Sequence, residues 1–303
     1  MQLVFSRKPE DVQAPLQLQE KALLASLNIS SWTARKFDKQ ISKDVAEQHG
    51  VDATLGRYNK LLIRKSAIDA IEEVIGKARK FHAEQTLDLG RTGIRLLCVS
   101  NFDHYTQGMR EIRVEFDLKV REFLDNYPLL IEEARGTLNG MFNEKDYPDP
   151  DRLLTRFSFE TLFDPLPSPG SFETMLSEEQ KEVIRQDLSA RFQEAQKQAM
   201  RDIWDRLYSA VSHLAKKMAE VKGDDGKPGR FHASTVTKLK DLAGLLTRVN
   251  LTNDPNLEAM RKEVEDKLAG LDPQSLRDDH ELRLNTAKEA NQILKTMEEF
   301  MPV

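Results

Sequence analysis

The residues best suited to carry chemistry are few and scattered in this sequence. Its six histidines are His49, His82, His104, His213, His232 and His280. No two of them lie three to five residues apart, and Cys98 is the only cysteine, so the spacings typical of zinc sites are missing. We therefore expect no metal site and no cofactor.

The acidic clusters favour ordinary structural roles over catalysis. Asp278, Asp279 and Glu281 surround His280, but consecutive residues of a helix point in different directions, so a solvated face is the better interpretation.

The sequence also lacks two common catalytic motifs. The turn at 90–93 lacks the Lys-Ser/Thr pair of a phosphate-binding loop. No serine lies in a nucleophile elbow. The sequence thus predicts a protein that is not an enzyme.

A basic stretch is the one candidate for binding nucleic acid. Lys77, Arg79 and Lys80 lie in a predicted helix, after Lys60, Arg64 and Lys65. Glu72, Glu73 and Glu84 share this neighbourhood, which favours a mixed, solvated surface. A phosphate-binding face formed with Arg35 and Lys36 is the alternative.

The candidate side chains belong to a chain whose main predicted element is one long helix, 177–222. Ser177 and Gln180 form a capping box. From Ile184 to Val221 apolar residues recur in ten steps over 37 residues, about 3.7 residues per step, which is close to the helical period. A strict heptad would give about 3.5, so we expect a coiled-coil-like seam with little supercoil. A helix of this length, roughly 69 Å, needs partners within or outside the chain.

Trp204 and Tyr208 widen the apolar stripe in the middle of this helix. Packing beneath a neighbouring helix is the favoured interpretation. The alternative is a binding hot spot, where tryptophan and tyrosine are enriched.

The remaining chain is predicted to be mainly helical, with a small sheet in the N-terminal half. The predicted strands are 25–33, 94–100 and 157–162, and the predicted helices are 40–48, 66–87, 103–127, 234–249, 254–270 and 272–300. We expect the second long helix to bend or stop before Pro128. Three prolines and a glycine at 164–170 indicate a boundary between a mixed α+β domain, 1–170, and an all-helical domain, 171–303. A polar turn at 223–229 should return 234–249 along the central helix as an antiparallel hairpin.

Composition and charge limit the classes of protein to which this chain can belong. No apolar run is long enough to span a membrane, and the N-terminal residues lack the apolar core of a signal peptide. A single cysteine, in the apolar run 96–99, favours a cytoplasmic location. The formal charge of −5 argues against coating nucleic acid by bulk electrostatics.

The stretch from Leu27 to Lys36 resembles the opening motif of a phage- and plasmid-associated family of unknown function. Ser30, Trp32, Arg35 and Lys36 match that motif in type, while Ala34 replaces its usual glycine. The similarity extends over about residues 20–170 and includes the predicted strand near Arg156. Genes of this family tend to lie beside MoxR-type AAA+ ATPases and von Willebrand A-domain proteins. The resemblance implies a phage-encoded partner of such an ATPase system in the host cytoplasm, with Trp32, Arg35 and Lys36 as interaction residues.

The leading hypothesis is therefore a non-enzymatic assembly or adaptor protein. Its partner would be a second copy of the chain, an AAA+ ATPase or an A-domain protein. Two alternatives stay open: a nucleic-acid-binding or nuclease-blocking phage protein, and a virion or scaffold protein.

Overall fold

A computed structural model describes residues 20–52, 54–90, 93–167, 177–219 and 233–301. The helices are α1 (Lys39–His49), α2 (Ser66–Gln85), α3 (Phe102–Leu138), α4 (Pro150–Leu154), α5 (Glu178–Ala219), α6 (Ser234–Val249), α7 (Pro255–Val264), α8 (Pro273–Asp278) and α9 (His280–Phe300). The strands are β1 (Ala22–Ser30), β2 (Arg35–Phe37), β3 (Asn59–Leu61), β4 (Leu87–Asp88), β5 (Arg95–Cys98) and β6 (Ser158–Pro165). The predicted fold class, mainly helical with small antiparallel sheets in the N-terminal half, is confirmed.

Helix α5 begins where the capping box predicts. The backbone N–H of Ser177 donates to Oε1 of Gln180, and the N–H of Gln180 donates to Oγ of Ser177 at 3.3 Å. The 42 residues of α5 span roughly 63 Å. Its buried residues begin at Phe192 and continue to Met218, so the stripe predicted from Ile184 is fully buried only over its later part. The turn predicted at 223–229 lies outside the described residues.

Helix α6 returns along α5 as an antiparallel hairpin. The residues just after α6 lie beside the middle of α5, because the Thr252 hydroxyl is 3.4 Å from Sδ of Met200 and the Trp204 indole N–H points to Asp254 at 3.4 Å. Val236, Leu239 and Leu246 are buried in the same apolar cluster as Ile203, Leu207 and Val211 of α5. Helix α9 packs along α5 as well, and its Ala290, Ile293 and Met297 join this cluster. The hairpin is thus closed within the chain by helices that follow it.

Two helices differ in extent from the prediction. Of the bend or stop expected before Pro128, the stop is not observed: helix α3 continues to Leu138, because Leu130 and Ala134 extend its buried face beyond the proline and this packing offsets the lost backbone hydrogen bond. The helix predicted over 272–300 is two helices, since Asp279 takes an extended conformation and its carboxylate accepts the N–H of Leu282 as the cap of α9.

The strands form two small sheets. The first has the order β4-β5-β1-β6, with β1 and β5 antiparallel in the register Ala22↔Cys98 to Ala25↔Arg95. The second is a two-stranded antiparallel ribbon of β2 and β3, in which Arg35 faces Leu61 and Phe37 faces Asn59. In the sequence, helix α1 lies between the two ribbon strands. It ends at Gly50, which takes the left-handed conformation that is typical of glycine at a helix C-terminus.

The chain forms two compact units, and each is built from segments that are distant in sequence. One comprises residues 1–26, 83–105 and 163–303, and the other comprises 27–82 and 106–162. The sequence places a single boundary near residue 170, whereas these units are interleaved along the chain. The first unit holds the α5–α6–α9 bundle, and the second holds the β2–β3 ribbon and most of α2 and α3.

Candidate functional site

Trp32, the centre of the motif that carries the resemblance, packs on aromatic rings of α3. Its ring centroid lies 6.1 Å from that of Phe123 and 5.8 Å from that of Tyr127, edge-on to the latter. Burial raises the pKa of Tyr127, and its buried hydroxyl has no hydrogen-bond partner among the described residues. Trp32 is half-buried, so these contacts give its ring a packing role.

Ala34 adopts the conformation for which the motif normally supplies glycine. Its φ is +52°, in the left-handed region that favours glycine, and its side chain is 1% exposed. Its carbonyl accepts the N–H of Leu62 at 2.8 Å, which fixes this turn to the end of β3. The departure from the motif therefore leaves the turn in place.

Lys60 of β3 anchors the ribbon from its inner side. The ammonium group, only 6% exposed, lies 2.9 Å from Oδ2 of Asp146 and 3.3 Å from Oδ2 of Asp38, and it donates to the carbonyl of Met141 at 2.8 Å. Burial alone would lower the pKa of Lys60, but the hydrogen bonds to Asp146 and Asp38 outweigh it and the pKa is raised. With its three donors used, Lys60 has a structural role.

Asp38 takes part in two of these contacts at once. Its carboxylate accepts the N–H of Ile41 at the start of α1 and faces Lys60. The backbone hydrogen bond from Ile41 and the nearby ammonium group lower the pKa of Asp38 in spite of its burial. Lys36, opposite Lys60 in the ribbon, stays exposed at 3.9 Å from Asp146.

The outer side of the ribbon is exposed and carries cationic and apolar side chains. Alternate residues of a strand share a face, so the directly opposed pairs Arg35–Leu61 and Phe37–Asn59 lie on the side opposite Lys60. All four are exposed. The Arg57 guanidinium stacks over the Phe37 ring at 4.5 Å from its centroid. We call Arg35, Phe37, Arg57, Asn59 and Leu61 the outer face.

Neither arginine of the outer face is neutralised within the described part of the chain. No carboxylate there lies within ion-pair distance of Arg35 or of Arg57, whereas the ribbon's inner lysine has two. The outer face thus has two guanidinium groups beside an aromatic ring and a leucine. This combination suits a ligand that has both negative charge and apolar surface.

Exposed apolar side chains are concentrated around this ribbon. We define the ribbon module as residues 35–61, that is β2, α1, β3 and the segment that connects α1 to β3. It contains six of the seventeen large apolar side chains that are exposed in the described part of the chain, although it makes up only about a tenth of that part. The six are Phe37, Val45, Val51, Leu55, Tyr58 and Leu61. Leu55 is 82% exposed.

The residues proposed for a nucleic-acid face on α2 do not form an all-basic surface. Lys77 is in an ion pair with Glu115 of α3, with 2.5 Å between Nζ and Oε2. Arg79 is exposed, but it is two residues from Lys77 and therefore points away from it around the helix. Glu72 and Glu73 are exposed on the same helix. Lys77, Arg79 and Lys80 thus lie on a helix that also exposes Glu72 and Glu73.

Trp204 belongs to the interior of the α5–α6–α9 bundle, and Tyr208 is half-buried against the same apolar cluster. Trp204 is 1% exposed, and its indole N–H points to the Asp254 carboxylate that caps α7. The Tyr208 hydroxyl donates to Oε1 of Glu298 of α9 at 2.8 Å. Of the two interpretations of these residues, these contacts support packing within the chain.

A second polar cluster, which sequence reasoning missed, joins α5 to the C-terminal end of α2 and the residues that follow it. Arg206 donates to the carbonyls of Ala83, Glu84 and Thr86 at 2.7–2.9 Å. Its guanidinium also binds Asp202, whose Oδ2 accepts the N–H of Asp88. Only the four-residue spacing of Asp202 and Arg206 could have signalled this pair.

A cleft of about 400 Å³ lies between the start of α2 and the middle of α3. Ile71, Phe123 and Leu130 line its floor. Its charged residues face each other in pairs, Arg64 with Glu133 and Lys119 with Glu122. The cleft therefore has no unpaired cation or anion to recognise a charged substrate.

Comparison with known proteins gives no further assignment. No family model, curated protein or solved structure matches this chain, so the resemblance of residues 27–36 to a phage-associated family stays a prediction. Within the described ranges, no group of three or more His, Cys, Asp or Glu side chains is placed to hold a metal ion. None of the described helices is both long and apolar enough to cross a membrane.

Proposed function

We propose that this protein is a non-enzymatic assembly or adaptor protein that binds another protein through the ribbon module. The observation that carries the proposal is the concentration of exposed apolar side chains on residues 35–61. Clusters of exposed apolar side chains on a folded protein are typical of interaction sites. The outer face adds arginine and phenylalanine, which are enriched in the centres of such sites.

The way in which the ribbon is held supports this assignment. Lys60, Asp38 and Asp146 fix its inner side through short polar contacts, so its outer side is rigid before a partner arrives. A preformed surface binds with a smaller loss of conformational entropy than a flexible one. The long central helix has a different role, because the buried part of its apolar stripe is occupied by α6 and α9.

The partner proposed first is a protein of an AAA+ ATPase or A-domain system, as the resemblance implies, or a second copy of this chain. A tagged full-length protein, purified from its native host after mild cross-linking and nuclease treatment, tests this choice. We expect a defined partner, or a self-association that depends on concentration in sedimentation velocity. A protein that stays monomeric and retains no protein partner would contradict the proposal.

Nucleic acid is the second candidate, and the outer face is the observation in its favour. Arg35 and Arg57 fit phosphate groups, and Phe37 offers a ring on which a base can stack. Binding of this kind weakens steeply with salt. A gel-shift titration at 50 and 200 mM salt distinguishes it from protein binding, since it predicts loss of the complex at the higher concentration and full sensitivity to nuclease.

A further inference from the structure

We infer that the outer face of the ribbon module binds an acidic protein segment in which carboxylates flank an apolar side chain. This inference rests on the proposed function and names the chemistry of the partner. The segment would place its apolar side chain against Phe37 and Leu61 and its carboxylates on Arg35 and Arg57.

Charge complementarity is the first argument. The outer face has two guanidinium groups, and neither has a carboxylate within ion-pair distance in the described part of the chain. A guanidinium group binds a carboxylate through two parallel N–H donors, so a partner's carboxylates would complete both groups.

The geometry of Arg57 is the second argument. Its guanidinium is held over the Phe37 ring at 4.5 Å, and stacking on an aromatic ring leaves the edge N–H groups free to donate. Its orientation is therefore set before a ligand binds.

The exposed leucine and valine side chains of the ribbon module favour a protein over a nucleic acid as the ligand. Leu61 lies on the outer face, and Leu55, Val51 and Val45 are exposed on the same module. Aliphatic side chains gain free energy when apolar surface covers them, whereas nucleic acid offers base faces to aromatic rings and phosphates to cations. Phe37 alone would serve a base, but the leucine and valines would not.

The test uses the purified full-length protein and a fluorescein-labelled peptide, Gly-Ser-Glu-Ser-Leu-Ser-Glu-Ser-Gly, with fluorescence anisotropy as the readout. The comparison peptide has glutamine in place of both glutamates, and a 15-residue oligo-deoxythymidine is the nucleic-acid probe. We expect saturable binding of the acidic peptide, and binding at least ten-fold weaker both for the glutamine peptide and for the double variant Arg35→Glu/Arg57→Glu.

The matched control is Arg110→Glu/Arg121→Glu on α3, which makes the same charge change at two exposed positions. It should change the affinity for the acidic peptide less than two-fold, and circular dichroism should show that both double variants are folded. Equal binding of the two peptides, no saturable binding, or stronger binding of the oligonucleotide than of the acidic peptide would overturn the inference. If the full-length protein then still retained a protein partner after nuclease treatment, the proposed function would stand and only this choice of ligand would fail.

Discussion

At the scale of single residues, the motif around Trp32 is a structural element that supports the ribbon. Trp32 packs on Phe123 and Tyr127, Ala34 turns the chain, and Arg35 begins the outer face. The sequence predicts that this stretch is important, but it does not show that Trp32 packs against other rings while Arg35 is exposed. That distinction depends on α3, which supplies the aromatic rings from about ninety residues further along the chain.

Ala34 tests the conformation of the turn. We expect Ala34→Gly to change the free energy of unfolding by less than about 1 kcal/mol, because relief at positive φ offsets the added freedom of the unfolded chain. Ala34→Val should destabilise the protein by more than about 2 kcal/mol, since a β-branched residue is strained at φ +52° and the site is closed. Urea denaturation measures both variants, and equal losses for glycine and valine would contradict this assignment.

Tyr127 tests the packing around Trp32. Its buried hydroxyl has no hydrogen-bond partner among the described residues, and an unsatisfied buried polar group costs about 1–3 kcal/mol. We therefore expect Tyr127→Phe to stabilise the protein by about 1 kcal/mol in urea denaturation, while Tyr127→Ala, which also removes the ring, destabilises it by about 3–5 kcal/mol. A loss of stability in the phenylalanine variant would show that the hydroxyl is satisfied.

Lys60 tests the anchoring of the ribbon. Lys60→Met should cost about 3–5 kcal/mol, because it removes the ammonium group that lies between the largely buried carboxylates of Asp38 and Asp146. Lys43→Met is the control in the same module, since Lys43 forms only an exposed ion pair with Glu47, worth less than about 1 kcal/mol. Similar urea midpoints for the two variants would contradict the structural role of Lys60.

Asp38 and Lys60 together predict how the free energy of unfolding depends on pH. The lowered pKa of Asp38 gives stability that is present above the unfolded value of about 3.9 and is lost as the pH falls through the folded value. The raised pKa of Lys60 gives stability that is present below about 10.4 and is lost as the pH rises through the folded value. The wild-type protein should therefore lose stability at both extremes, and Lys60→Met should lose less than wild type at the alkaline end.

At the scale of elements, local signals predict the helices well and their packing less well. The capping box at Ser177, the glycine after α1 and the Asp-Pro pairs before α4, α7 and α8 all lie where helices begin or end. The continuation of α3 through Pro128 depends on tertiary contacts, and the break before α9 depends on the side-chain cap at Asp279. The short strands β2 and β3 carry no clear alternation, so the ribbon was not predicted.

Helix α5 itself provides a comparison between its two parts. Ile203 is fully buried against the bundle, whereas Val183 in the first turns is 67% exposed. Ile203→Ala should cost about 2–5 kcal/mol in urea denaturation, while Val183→Ala stays within about 0.5 kcal/mol. If Val183→Ala proved as costly as Ile203→Ala, the first turns of α5 would have to be covered, for example by a second chain.

At the scale of the whole molecule, helices of the same chain supply the partners that the length of α5 requires. The sequence predicts α6 as one of them, and α6 and α9 together cover the buried part of the apolar stripe of α5. The exposed apolar and cationic side chains lie on a small module that is inserted early in the sequence. Its outer face is assembled by pairing residues more than twenty positions apart, and no local pattern reveals that pairing.

The most direct test of the account compares three full-length proteins side by side: wild type, Arg35→Glu/Arg57→Glu and Arg110→Glu/Arg121→Glu. Each is tagged, expressed in the native host, cross-linked, treated with nuclease and purified, and the recovered proteins are quantified by mass spectrometry. The account predicts that wild type and the α3 control retain the same protein partner, and that the outer-face variant loses at least nine-tenths of it. Equal recovery of the partner by all three proteins would contradict the central role of the outer face.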